Sequence, residues 1–279
     1  MNDTLRPSAA AALADWAVRV QADREQVERW REVEDPADFY APVVHRFQLD
    51  PRRTNDDVLA MLLGEASPIE TWLDVGAGGG RYALPIALRV REVVAVEPSP
   101  AMADALRAGM EESGIGNVRV VQSRWPMGSD PPTVDVSLLA HLGYDVSDIG
   151  PFLDALEEAT RRLCIAVMGE SAMTTVATLF WHDVHGEPRV RLPALPELLM
   201  LLLARGRLPE VRLVDRAPPL FESVEEALGM ARRQLWVHEG SAKDAVLMRL
   251  VRSTLLESDG RFTFDRHPSK IGIVTWPPP

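Results

Sequence analysis

The stretch LDVGAGGGRYALP, from Leu73 to Pro85, sets five small residues, Gly76 to Gly80, between an apolar run and a helix-forming one. TWLDV before the turn is a strand candidate, and RYALPIALRV after it is a helix candidate. Consecutive glycines at a strand-to-helix turn let the backbone itself approach a ligand, and they place that ligand at the carboxyl end of the strand. The turn therefore directs the chain toward βα units with a binding site above the sheet.

The rest of the chain agrees. From Thr71 onward short apolar runs alternate with helical patterns, the signature of βα units around a buried parallel sheet. REVVAVEP, VRVVQ, VDVSLLA and LCIAVMGE follow TWLDV as strand candidates; SPAMADALRAGMEES and DIGPFLDALEEATRR follow RYALPIALRV as helix candidates. Pro98 and Pro100 fall where the second of these helices begins, a place that tolerates a missing N–H. The order predicts an α/β, doubly wound, Rossmann-like fold with helices on both faces of the sheet. Upstream, Ala9 to Arg31 and Asp56 to Leu63 read as helices, separated by a segment punctuated by Pro36, Pro42 and Pro51. After Glu170 the alternation stops. Ser171 to Arg205 is helical in pattern with WHDVHGEP as a polar interruption, Ser223 to His238 and Ala242 to Leu256 read as helices, and VRLVDR and IGIVTW are candidate late strands.

Two ligands compete for the turn. Gly78, Gly80 and Ala83 satisfy the dinucleotide pattern G-x-G-x-x-G/A, with Glu97 about 20 residues on as the ribose partner, which is the reading of an NAD-dependent oxidoreductase. One step earlier, Asp74, Gly76, Gly78 and Gly80 form D-x-G-x-G-x-G, with an acid on the strand itself. A carboxylate there repels a pyrophosphate at close range and suits a ligand with a cationic end.

This second pattern resembles the first motif of class I S-adenosylmethionine-dependent methyltransferases. VVAVEPSPAM resembles the second motif of that family, which implies that Glu97 accepts from the ribose hydroxyls and that Pro98 and Met102 flank the adenine. VRVVQSRWP is similar to the third region, where Ser123, Arg124 and Trp125 would meet the adenine edge. VDVSLLAHLGYDVSDIGPFL is similar to the fourth, with Ala140 and His141 beside the methyl donor. The resemblance implies a seven-stranded, mostly parallel sheet whose last two strands pair antiparallel at its edge. It also implies an amino-terminal helical cap over residues 1–69, a methyltransferase domain over 70–279, and a helical insertion near 171–208. Tyr40 and Arg46 are candidates for closing on the cofactor.

The implied reaction is transfer of a methyl group from S-adenosylmethionine to an O, N or C acceptor. A non-catalytic protein that binds S-adenosylmethionine stays open beside it. Where the acceptor must lose a proton, His141 and Tyr144, after the fourth strand, are the candidate catalytic residues, histidine being the usual base near neutral pH. Trp181, His182 and His185, in WHDVHGE, are candidates for facing the substrate. Their H-x-x-H spacing is not that of an H-E-x-x-H zinc helix, and no metal is expected.

Charge and composition narrow the partners. The 279 residues carry a net charge of −11, so the attraction that drives general nucleic-acid binding is missing, and a small-molecule acceptor is expected. Cys164 is the only cysteine, which fits a reducing compartment. MNDTLRPSAA has no secretory pattern, and LPELLMLLLARG is far shorter than the roughly 20 residues of a membrane span, so a cytoplasmic protein without membrane contact is expected. A monomer and a homodimer are both left open.

Overall fold

The computed structural model describes residues 8–128, 131–172, 175–265 and 269–279. The first seven residues of the chain and His267 lie outside them. The elements, in chain order, are α1 (Ala9–Trp30), a 3-10 turn (Ala41–Phe47), α2 (Asp57–Gly64), β1 (Thr71–Val75), α3 (Ala83–Ala87), β2 (Glu92–Val96), α4 (Pro100–Ser113), β3 (Val118–Val121), β4 (Val134–Ala140), α5 (Ile149–Glu158) and β5 (Thr160–Gly169). They continue with α6 (Thr175–His185), α7 (Leu195–Ala204), β6 (Glu210–Arg216), α8 (Val224–Leu235), α9 (Ala242–Thr254), β7 (Leu256–Ser258), β8 (Arg261–Thr263) and β9 (Ser269–Trp276).

Seven strands form one sheet in the order β3-β2-β1-β4-β5-β9-β6. Neighbours among β1 to β5 pair parallel, whereas β9 runs antiparallel to both β5 and β6. The expected antiparallel pair is thus present, with β9 inside the sheet and β6 at its edge. Helices cover both faces because the strands are apolar on both. Along β1, Trp72 faces a core with Leu59, Leu62 and Leu106, while Leu73 and Val75 face another with Trp16, Leu153 and Leu198. Cys164 lies fully buried in the second of these. A third core, with Trp181, Leu235 and Leu247, joins α6 to α8 and α9. Among the described residues no helix is long and apolar enough to cross a membrane.

Three helix boundaries differ from the pattern in the sequence. Only Ala83–Ala87 of RYALPIALRV is helical, so Arg81 and Tyr82 belong to the turn. The end of DIGPFLDALEEATRR is already strand, because Thr160 ends α5 with its hydroxyl bonded to Leu156 O and opens β5 beside Ser137. WHDVH is the last part of α6 rather than an interruption, and the chain breaks at Gly186, whose φ is +85°. Polar residues on an exposed helix face mimic a loop when only composition is seen.

Two amino-terminal contacts bear on the site. Trp16 Nε1 donates to Val146 O and Arg24 to Asp145 O, so α1 holds the loop after β4. Asp38 accepts from the Ser99 hydroxyl and from Ala101 N, which ties the segment before the 3-10 turn to the start of α4.

Candidate active site at the carboxyl ends of the strands

Gly76, Gly78 and Gly80 all have positive φ, at +72°, +55° and +88°, which explains the glycine at each. Their surroundings differ. A Cβ on Gly80 would lie 2.5 Å from Leu106 and 2.8 Å from Leu84, so this glycine lets the turn press against the core. A Cβ on Gly76 would meet Leu142 at 2.8 Å, which brings the turn against the loop after β4. A Cβ on Gly78 would meet nothing within 4 Å, so Gly78 borders open space.

Two carboxylates border this turn. Glu97, just past β2, accepts from Gly78 N at 2.7 Å and from Ser99 N at 2.8 Å, one bond to each oxygen. Burial raises its pKa, and the two backbone bonds pull the other way. Asp74, on β1, is buried, and its pKa rises to about 7, first through burial and then through the charge of Glu97; a backbone bond from Ala83 opposes the rise. Two buried, mutually repelling carboxylates beside open space favour a ligand that brings positive charge and hydrogen-bond donors.

Asp38 carries a third acid to the same corner. Its pKa is held down, first by the Ser99 hydroxyl. Nothing in DPADFYAP marks this residue, since its partner Ser99 lies 61 positions away. Tyr40 follows it, 41% exposed as a residue, with its ring edge-on to Phe39 and Phe47. Burial of its hydroxyl end, then Asp145 and Glu97, raise its pKa, which places the phenol within electrostatic reach of both acids. Arg46 turns elsewhere: it pairs with Glu226 at 3.0 Å and lies over Phe221, so it ties the 3-10 turn to α8.

The residues expected around an adenine divide. Met102 is buried on α4, Pro98 is exposed, and Ala140 is half-buried at the end of β4. Ser123 is half-buried and its hydroxyl bonds Arg124 O, whereas Arg124 is exposed. Trp125 packs against the α5 side of the core and donates to Phe152 O, so it serves the core rather than an open edge.

His141 is the first residue after β4 and adopts φ +55°, with its N–H bonded to Val167 O. Its Nδ1 is buried without a partner, and its ring sits 6.3 Å from that of Tyr82. Burial, then Arg216 and Arg81, lower its pKa to about 3. The imidazole is therefore neutral at pH 7. The buried hydroxyl of Tyr144 accepts from Gly169 N at 2.8 Å and braces the ends of β4 and β5. Tyr144→Phe should lower unfolding free energy by about 1–2 kcal/mol in denaturant titration, because Gly169 N then loses a buried partner. An unchanged midpoint would show that this bond does not support the fold.

The three residues of WHDVH do not converge on this site. Trp181 is fully buried in the third core, between His185 at 4.3 Å and the Arg189 guanidinium at 4.2 Å. His185 is buried, with Nε2 bonded to Leu235 O, and burial lowers its pKa to about 4. His182 lies on the exposed side of the helix. Helical geometry puts Trp181 and His185, four apart, on one face and His182 on another. Arg81, Tyr82 and Arg216, by contrast, stand near His141 although the sequence did not single them out. RYALP had read as helix, and Arg216 reaches the site only through the sheet order.

Residues 73–163 match the family described as the methyltransferase domain. The curated protein "Probable cobalt-precorrin-6B C(15)-methyltransferase (decarboxylating)" from Methanothermobacter thermautotrophicus is 26% identical over 124 residues. That match covers 43% of this chain and 65% of the relative, so the chain spans a little under two thirds of it. Among solved structures, the YcgJ protein of Bacillus subtilis superposes with a TM-score of 0.56 at 17% identity, covering 80% of this chain and 99% of that one. The magnesium protoporphyrin IX methyltransferase of Synechocystis PCC 6803 superposes with a TM-score of 0.51 at 14% identity, covering 93% and 97%. At these identities the superpositions speak for a common fold.

Proposed function

From a chain whose core, residues 73–163, is a methyltransferase domain of the class I S-adenosylmethionine-dependent family, we propose a methyltransferase acting on an O, N or C atom of a small molecule. The observation that carries this reading is the buried pair Asp74 and Glu97 flanking the open space at Gly78. When bound, S-adenosylmethionine supplies a methyl group on a sulfonium, an already good leaving group. Asp74 would favour its cationic methionine end, and Glu97 would add the ribose hydroxyls to the two backbone donors it holds already. Met102 would form a wall of the adenine side, and Tyr40, near Glu97 and Asp145, would close over it.

The chain's own contribution to rate is then mainly position. Holding donor and acceptor in near-attack geometry removes much of the barrier to an in-line displacement. Trp16 and Arg24, by holding the loop after β4, keep His141 in place beside the acceptor. Its neutral imidazole offers a hydrogen bond there. The small-molecule acceptor rests on the acidic balance of −11 and on the precorrin named in the curated relative.

The dinucleotide reading is less favourable. A pyrophosphate would sit against Asp74 and would depend on α3, which has only five residues and so a weak amino-terminal dipole. Calorimetric titration with S-adenosylmethionine, S-adenosylhomocysteine and NAD should show binding of the first two alone. Binding of NAD alone would overturn the assignment, and binding without turnover across an acceptor panel would favour a non-catalytic protein.

The same titration carries a pH prediction. Asp74, with its pKa raised to about 7, is partly protonated at neutral pH without ligand. A cation beside it favours the ionised form, so affinity for S-adenosylmethionine should rise as pH increases from 5.5 to 7.5 and then level off. Asp74→Asn should flatten that profile while still accepting from Ala83 N. An equally steep profile in the variant would assign the titration to another group.

A further inference from the structure

Beside the aromatic residues of the amino-terminal segment stands a cation that the cofactor reading does not use. Arg233, on α8, places its guanidinium 4.3 Å from the centroid of the Phe39 ring, and Phe39 stands edge-on to Tyr40 at 5.4 Å. Helix α8 is fixed against that segment near both of its ends: Glu226 pairs with Arg46 at 3.0 Å, and Trp236 O accepts from Glu32 N at 2.8 Å. The segment is tied to the site in turn. Asp38 holds the Ser99 hydroxyl, whose residue bonds Glu97, and a Cβ on Gly79 would lie 3.2 Å from Phe47 O, the Phe47 ring being edge-on to Tyr40. Arg233 is thus preplaced one aromatic ring away from Tyr40, close to the glycine turn.

What Arg233 lacks is an acid. Its neighbour Arg232 holds Asp244 through two nitrogens at 2.8 and 2.9 Å and Glu239 through a third at 2.9 Å. Arg233 is half-buried, its Nη1 is buried without a hydrogen-bond partner, and no carboxylate among the described residues pairs with it. Burial lowers its pKa, and the Tyr40 phenol opposes the shift. A buried donor of a charged group is rarely left unpaired, and this one marks a place for an anion from outside. The surrounding charges say on which side. Asp38, Glu97 and Asp145 act on the Tyr40 phenol, and none of the three acts on Arg233. The phenol therefore has an acidic side, toward Glu97 and the glycine turn, and a basic side, toward α8.

We propose that Arg233, with the Tyr40 phenol as a second donor, seats an anionic group of the methyl acceptor, a carboxylate or a phosphate. The inference rests on the methyltransferase reading and sharpens its substrate class. The cationic cofactor takes the acidic side of Tyr40 and the acceptor's anion the basic side. The seated anion takes hydrogen bonds from the guanidinium and the phenol, which leaves the rest of the acceptor to extend past Tyr40 toward the glycine turn.

The test is calorimetric titration of the protein, free and saturated with S-adenosylhomocysteine, with benzoate, phenyl phosphate and the neutral isostere benzamide at constant ionic strength. At least one anion should bind about tenfold or more tightly than benzamide, and the tighter anion identifies the acceptor group. Arg233→Gln should remove that preference while leaving S-adenosylhomocysteine affinity unchanged. Should that variant fail to fold, Arg233→Lys keeps the charge and loses the planar fork, and it should weaken the anions without weakening benzamide. Equal or absent binding of all three probes overturns the proposal, as does a full preference surviving in Arg233→Gln. Competition between the anions and S-adenosylhomocysteine also overturns it, because Arg233 would then belong to the cofactor. Anion preference without any S-adenosylhomocysteine binding would sink the methyltransferase reading and leave the anion seat standing.

Discussion

Replacing Glu97 with Ala should weaken S-adenosylmethionine binding by about a hundredfold or more while leaving the protein folded. The two oxygens of Glu97 hold Gly78 N and Ser99 N, so the carboxylate fixes the glycine turn and the start of α4 in a common register. In the proposed complex the same oxygens accept from the ribose. Hydrogen bonds to a charged group contribute about 1.5–3 kcal/mol each, and loss of two corresponds to at least about 3 kcal/mol, or two decades in affinity. Stability should fall by about 1–3 kcal/mol, because Gly78 N and Ser99 N lose their acceptor while the burial penalty of the carboxylate is relieved. Glu97→Gln should recover only part of the affinity, since its amide nitrogen would face a backbone N–H. Calorimetry alongside denaturant unfolding separates the two quantities; full affinity in the Ala variant would remove Glu97 from the site.

The second large effect divides the glycines. Gly80→Ala should destabilise the protein by about 3 kcal/mol or more, the sum of a left-handed conformation for an L-residue and an overpacked core. Its methyl would fall 2.5 Å from Leu106 and 2.8 Å from Leu84, both buried. Gly78→Ala has the opposite profile. Its backbone cost is about 1–2 kcal/mol, and its methyl meets nothing in the protein. That methyl enters the space assigned to the cofactor, so affinity should fall by more than stability does. The pair is read by chemical denaturation and calorimetry on both variants. A stable Gly80→Ala would show that the turn relaxes, and an unchanged affinity in Gly78→Ala would move the ligand elsewhere.

Strands were legible because those buried on both faces are nearly continuous apolar runs, and TWLDV, VVAV and VDVSLLA are of that kind. The same local logic found α4, with Ser99 at its cap and Pro100 inside its first turn. It overextended α3, where helix-forming residues flank a turn held by packing, and it misread the polar face of α6 as a loop. The candidate site was legible to a similar depth. Asp74, Glu97 and the glycines fall beside one another at the ends of β1 and β2, as order and spacing imply, whereas Trp181 and His185, expected to face a substrate, lie buried.

What the sequence by itself determined is the strand, the glycine turn and the acids at the ends of the first two strands. Those features depend on dihedral freedom, periodicity and short separations along the chain. Only the tertiary structure decided what stands opposite them. Asp38 reaches Ser99 across 61 positions, Trp16 holds Val146 across 130, and Arg216 comes beside His141 through the order of the sheet. It also decided protonation: Asp74 is raised to about 7 and His141 lowered to about 3. Burial and neighbouring charge set a pKa, and both belong to the packed molecule rather than to the order of its residues.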